Sequence, residues 1–194
     1  MQKKRIFTEA LKTIKDNLSE FDFLEHSTRK RNLAYQLQYL DFNMQLLREY
    51  NLYGAIEAAI LRHLVIHITN IIEYLLFVSL SKVYDKDPKN HKLPSLIGQA
   101  KNKGLIDKTL ASNLNGVVEI RNKLHPSKQN EELDIKCFTY KEVHLCLLSM
   151  HNLRDQLRNF FSTKNVKVET NIVECPYEGQ IGWDWCYYCG EFHW

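Results

Sequence analysis

Arg121 and His125 lie one helical turn apart and could together bind a phosphate and move a proton. On a helix that turns by about 100° per residue, with Leu110 at zero, Arg121 falls at about 20° and His125 at about 60°. Both side chains are therefore predicted to lie within an apolar stripe, which comprises Leu110, Leu114, Val117, Val118 and Leu124. A guanidinium binds phosphate through paired hydrogen bonds, and an imidazole exchanges a proton near neutral pH.

An arginine inside an apolar stripe is costly to bury unless a carboxylate pairs with it. Two interpretations follow from the residues alone. In the first, Arg121 ties two helices together through an ion pair, and His125 lies near the last carbonyls of its helix. In the second, the stripe opens there into a cleft or an interface, and the two side chains act on a phosphate.

Three stretches of the chain resemble the HEPN superfamily (higher eukaryotes and prokaryotes nucleotide-binding domains). They are Leu93-Pro-Ser-Leu-Ile-Gly-Gln-Ala, Gly104-Leu-Ile-Asp and Val118-Glu-Ile-Arg-Asn-Lys-Leu-His-Pro. The family hallmark is an arginine, often followed by asparagine, with a histidine a few positions later near a helix end, as in Arg121, Asn122 and His125. Three residues separate Arg121 from His125 here, which is fewer than is common in the family. The resemblance covers about residues 53–161.

The resemblance implies a helical bundle and a metal-independent endoribonuclease, typically of a defence or toxin system, that acts on RNA as a homodimer. His125 would act as general acid or base and Arg121 would hold the scissile phosphate. Asn122 would bind the phosphate or orient the histidine, and the product would carry a 2′,3′-cyclic phosphate. An antitoxin or regulatory protein is a possible partner. The alternative is a non-catalytic HEPN-like module that binds RNA, a nucleotide or a protein.

A line of polar residues on an otherwise apolar helix is the second unusual feature. His63, His67, Asn70 and Tyr74 recur at helical spacing. One interpretation is a hydrogen-bonded seam between helices. The other is that His63, His67 and Asn70 border the same cleft as Arg121 and contact substrate. A histidine pair at this spacing can also bind a metal, but no third ligand is apparent nearby.

Hydrophobic periodicity predicts an all-α fold, an antiparallel helical bundle with short loops. Residues 1–162 form the predicted HEPN-like helical domain, whose core spans about 53–161, and residues 163–194 form a separate tail. The predicted helices are Thr8–Leu18, Ser27–Tyr50, Tyr53–Tyr84, Pro94–Lys103, one from the cap Asp107 to about Leu124, and Tyr140–Phe161.

The tail contains the spacing of a zinc-ribbon-like site. Cys175, Cys186, Cys189 and His193 supply three thiols and one imidazole, a ligand set that zinc binds in tetrahedral geometry. A structural zinc is predicted to stabilise a small C-terminal β-hairpin, because a segment this short cannot build an ordinary core. The open alternatives are a redox C-x-x-C pair or unrelated thiols. Cys137 and Cys146 are predicted to be buried thiols.

Composition excludes several classes of protein. The chain has 194 residues, 44% hydrophobic and 25% charged, with a net charge of +3, so it is not disordered throughout. The most apolar stretch, Leu61–Leu80, is interrupted by polar residues that include Glu73, so no membrane association is expected. No secretory signal is apparent and five cysteines is an odd number, so a cytoplasmic location is predicted. The basic cluster Arg29-Lys30-Arg31 could be a solvated helix face or contact phosphates.

Overall fold

The computed structural model describes residues 21, 24, 27–123 and 138–164, together with 184, 185, 192 and 193. The larger part is helical, which confirms the predicted all-α bundle for this part of the chain. In chain order the helices are α1 (Ser27–Glu49), α2 (Ala55–Tyr84), α3 (Leu93–Asn102), α4 (Lys108–Asn122) and α5 (Tyr140–Lys164). Helix α5 ends at Lys164 rather than at Phe161, so it continues past the predicted domain boundary.

Local signals in the sequence explain where these helices begin and end. Asp107 caps α4 as predicted, because its side-chain oxygen accepts a hydrogen bond of 2.7 Å from the backbone N–H of Leu110. Pro94 lies in the first turn of α3, where the N–H that proline lacks would have no helical partner. Gly104 follows α3 with a φ of 69°, a left-handed conformation that glycine adopts at little cost.

Contacts between helices fix their relative directions. Residue numbers run in opposite directions where α1 meets α2 and where α4 meets α5, so both pairs are antiparallel. The bonded residues are Gln36 with His67 and Arg29 with Tyr74 in the first pair, and Asp107 with Gln156 and Lys123 with Glu142 in the second. Helix α5 runs parallel to α2, since Tyr140 bonds to Glu57 while Phe161 lies beside Lys82 farther along both helices.

Helix α2 is the centre of the bundle and packs against each of the other four helices. It is the one described helix that is long and apolar enough to cross a membrane, and 67% of its most apolar window is buried inside the fold. The core helix of a soluble protein can have the same length and hydropathy. The cytoplasmic location stays a prediction. Phe21 and Leu24, which precede α1, are also buried in the core.

Two short strands pair near the C-terminus. β1 (Asp184–Trp185) and β2 (Phe192–His193) are antiparallel, with Asp184 opposite His193 and Trp185 opposite Phe192. The rest of the tail lies outside the described residues, so the zinc-stabilised hairpin stays a prediction. Also outside them are the predicted helix Thr8–Leu18, Leu124, His125, Cys137, Cys175, Cys186 and Cys189, and the side chain of His193.

Two leucines of α5 provide a test of the packing. Leu153 is completely buried, whereas Leu145 is 42% exposed. We expect Leu153→Ala to lower the free energy of unfolding by about 2–5 kcal/mol, because it removes apolar contacts and leaves a cavity. The matched Leu145→Ala should change it by less than about 1 kcal/mol. Urea denaturation of both variants measures the difference, and equal losses would contradict the described arrangement of α5.

Candidate functional site

The guanidinium of Arg121 meets a carboxylate from the central helix. Arg121 lies in the last turn of α4, and its Nη1 donates a hydrogen bond of 3.3 Å to Oε2 of Glu73 on α2. The two side chains remain 37% and 32% exposed, respectively. A carboxylate from a neighbouring helix therefore pairs with this arginine, yet the pair is open to solvent. Because a guanidinium has five N–H donors, this contact uses only part of its capacity to donate hydrogen bonds.

The predicted apolar stripe of α4 is buried along most of its length. Leu110, Leu114 and Val117 lie in the core, together with Ile120, and Val118 packs partly against it. Arg121 is the exception, because it lies in the final turn of the helix, where its long side chain extends over Glu73. Asn122, the last residue of α4, is half-buried.

An open cleft adjoins this ion pair. It has a volume of about 370 Å³. Its lining consists of Asn70, Glu73, Tyr74, Phe77, His91 and Leu96. The first four residues project from one face of α2, since they recur at spacings of three and four, and the last two come from the start of α3 and the segment before it. Glu73 thus belongs both to the cleft and to the pair with Arg121.

The polar line on α2 divides into two parts. His67 is buried, and its Nε2 lies 2.8 Å from the carbonyl oxygen of Gln36 on α1. His63 is exposed, and both imidazole rings lie edge-on to the ring of Tyr39, at 5.4 Å for His63 and 5.0 Å for His67. His67 and Tyr74 therefore form hydrogen bonds between α2 and α1, as one interpretation predicted, while Asn70 and Tyr74 also line the cleft.

Tyr74 links the cleft to the basic start of α1. Its hydroxyl donates a hydrogen bond of 3.3 Å to the carbonyl oxygen of Arg29. Burial raises the pKa of Tyr74, and the positive charge of Arg29 acts against that rise. The phenol therefore stays protonated at neutral pH and keeps one wall of the cleft fixed to α1.

Two buried histidines should make folding stability depend on pH. Burial lowers the pKa of His67, and burial together with the charge of Arg154 lowers the pKa of His151 to about 3. In the unfolded chain these groups take up protons below a pH of about 6.5, whereas in the folded chain they do so only at lower pH. The loss of folding stability that these histidines cause is therefore absent above that pH and grows as the pH falls below it.

We therefore expect the free energy of unfolding to decrease from pH 6.5 to pH 5, by up to about 1.4 kcal/mol per pH unit for each histidine. Replacement of the more strongly shifted residue, His151→Gln, should reduce this slope. Urea denaturation at several pH values measures it. An identical slope in the variant and the original chain would contradict the assignment to His151.

Sequence reasoning missed Glu73 as a functional residue, although a signal for it existed. Glu73 is the one acidic residue in the apolar stretch Leu61–Leu80, and one of the two interpretations of Arg121 calls for a carboxylate from a neighbouring helix. Matching the carboxylate of Glu73 with the guanidinium of Arg121 on the other helix would have predicted their ion pair. Phe77 and His91 were also missed, because a core aromatic and a loop histidine carry no distinctive spacing.

Within the described residues, no group of three or more His, Cys, Asp or Glu side chains is arranged to hold a metal ion. The comparison with models of protein families, the search of curated proteins and the search of solved structures each found no match.

Proposed function

We propose that this chain is a metal-independent endoribonuclease of HEPN type that acts in a defence or toxin system. One observation carries the proposal: Arg121, in the last turn of α4 and four positions before His125 in the sequence, is 37% exposed and pairs with Glu73, which lines the cleft. A guanidinium held beside a cleft in this way can bind a phosphate of RNA while the cleft holds an adjacent group.

The proposed reaction is an internal transfer at phosphorus. A base takes the proton of a ribose 2′-hydroxyl, the oxygen attacks the adjacent phosphorus, and the bond to the 5′-oxygen of the next nucleotide breaks. His125 either takes the proton of the 2′-hydroxyl or gives a proton to the departing 5′-oxygen, water exchanging the other proton, and Arg121 stabilises the charge that develops on the phosphate oxygens. Asn122 binds the phosphate or orients the imidazole. The products are a 2′,3′-cyclic phosphate and a free 5′-hydroxyl.

Cleavage of labelled RNA in the presence of EDTA tests this proposal. We expect the full chain to yield fragments that end in a 2′,3′-cyclic phosphate, and His125→Ala to reduce the rate by about 10²–10⁴-fold, because a positioned general acid or base contributes that much. Replacement of an exposed residue outside the cleft, Lys101→Ala, is the control and should leave the rate unchanged. Cleavage that persists at the original rate in His125→Ala would remove this residue from the proposed reaction.

The ion pair itself favours a second candidate function. Glu73 already neutralises Arg121, as it would in a non-catalytic HEPN-like module that binds RNA, a nucleotide or a protein partner. Binding of RNA without any cleavage product would support this module. In the ribonuclease, by contrast, a bound phosphate shares or replaces Glu73 as the partner of the guanidinium.

The tail and the assembly complete the proposal. Three thiolates and one imidazole form a donor set that suits zinc, so Cys175, Cys186, Cys189 and His193 would hold a structural zinc that stabilises the C-terminal hairpin. With four protein ligands the ion has no open position for substrate, which makes its role structural.

A homodimer would place two copies of Arg121 and His125 in one cleft, and an antitoxin or regulatory protein would cover it.

A further inference from the structure

The cleft beside Arg121 has the size and the lining of a small-molecule site. Pockets that bind small ligands typically enclose about 300–1,000 Å³ and combine apolar walls with a few polar groups. At about 370 Å³, this cleft, which is open to solvent, lies at the lower end of that range. Its rings and hydrogen-bonding groups then decide which kind of ligand fits.

The walls of the cleft are suited to stacking. The rings of Phe77 and His91 contact each other edge to face, with centroids 5.0 Å apart. The ring of Tyr74 and the buried side chain of Leu96 complete the apolar lining. Aromatic side chains of this kind bind unpaired bases by stacking, whereas bases within a duplex are already stacked on their neighbours.

The polar edge of the cleft discriminates between bases. Asn70 and Glu73 project from the same face of α2, one turn apart, and the exposed amide of Asn70 is accessible to a ligand. An ionised carboxylate only accepts hydrogen bonds, whereas an amide also donates them. Guanine presents two adjacent N–H donors beside a carbonyl oxygen. Adenine and uracil each place an acceptor where a carboxylate requires a donor.

The position of the cleft relative to Arg121 places the base next to a phosphate. Oε2 of Glu73 bonds to the guanidinium, and a carboxylate has enough lone pairs to accept from a base at the same time. A phosphate on Arg121 and a base against Glu73 are therefore neighbours, as they are within a single nucleotide.

We propose that this cleft is a base-specificity subsite that binds an unpaired guanine, with the ring of Phe77 stacking on the base, His91 supporting that ring edge to face, and Asn70 and Glu73 reading the edge of the base. Glu73 accepts the two N–H groups of guanine, and the Asn70 amide donates to its carbonyl oxygen. The inference rests on the proposed ribonuclease for its biological substrate, single-stranded RNA cleaved beside a guanosine.

Binding of single nucleotides tests the subsite separately from cleavage, because a mononucleotide contains no bond that the enzyme would break. The full chain is titrated with GMP, AMP and UMP, and binding is followed by calorimetry or by NMR. We expect GMP to bind about five- to tenfold more tightly than UMP or AMP, the lower range for base discrimination at a partly exposed site.

Variants within the cleft assign this preference to particular side chains. Glu73→Gln replaces an acceptor by an amide of the same shape and should abolish the preference for GMP. Phe77→Leu keeps the apolar volume but removes the ring, so it should weaken all three nucleotides about five- to tenfold. The exposed Lys101, on α3 and outside the cleft, provides the control Lys101→Ala, which should change nothing. Circular dichroism confirms that each variant is folded.

The outcomes distinguish failure of the guanine subsite from failure of the ribonuclease proposal. Absence of nucleotide binding, equal binding of the three nucleotides, or a GMP preference that survives Glu73→Gln in a folded chain would each overturn the guanine subsite. RNA cleavage in any of these cases would leave the ribonuclease proposal intact. Selective GMP binding that depends on Glu73, without RNA cleavage, would instead support the subsite and refute the ribonuclease.

Discussion

Arg121→Ala is expected to slow RNA cleavage by about 10²–10³-fold, the usual effect of removing one group that stabilises charge in a transition state. Arg121→Lys should recover only part of the rate, because an ammonium keeps the charge but lacks the planar pair of donors that matches a phosphate. Single-turnover cleavage of labelled RNA measures both rates. Neither variant should unfold, since an exposed ion pair contributes only about 0–1 kcal/mol.

Lys101→Ala is the control for this experiment, because it removes one positive charge from an exposed position outside the cleft. A general loss of electrostatic attraction to RNA would slow both alanine variants to a similar extent. Specific action of Arg121 would slow Arg121→Ala alone. Cleavage by Arg121→Ala within about twofold of the original rate would exclude this guanidinium from the reaction.

Loss of the proposed tail zinc should have the second large effect. We expect about one equivalent of zinc in the purified chain, and Cys189→Ser should lower it to below about half an equivalent. Structural zinc in small domains contributes about 10–16 kcal/mol of apparent binding energy, so its removal should unfold the tail. All three tryptophans, Trp183, Trp185 and Trp194, lie in the tail, so their fluorescence should report the change on addition of a strong chelator.

Cys146 offers a matched control for the loss of a thiol. It is buried in α5 as predicted, and burial with the nearby charge of Glu142 raises its pKa to about 12, so it remains a protonated thiol. Cys146→Ala should therefore leave the zinc content unchanged. Zinc below about half an equivalent in the original chain would refute the metal site, and equal zinc in Cys189→Ser would refute that ligand.

Regular spacing made the helices predictable. Leu33, Leu37 and Leu40 recur at the helical period in α1 and are all buried, because a helix in a bundle must turn one apolar face to its neighbours. The start of α4 was equally clear, since Asp107 is a residue whose short side chain caps a helix. The end of α5 was less clear, because the helix continues through Ser162 and Thr163, and the hydroxyl of Thr163 donates to the carbonyl oxygens of Asn159 and Phe160, contacts that composition does not indicate.

The sequence by itself determined that the helical part of the chain forms an α-helical bundle and that Arg121 needs either a carboxylate partner or an opening of the stripe to solvent, since both follow from periodicity and from the cost of burying a charge. Only the tertiary structure decided that this partner is Glu73, 48 positions away, and that a cleft opens beside the pair. It also separated the polar line of α2, directing His67 to α1 and Asn70 to the cleft. The physical reason is that spacing fixes which residues share a face of one helix, whereas the packing of several helices decides which face each one meets.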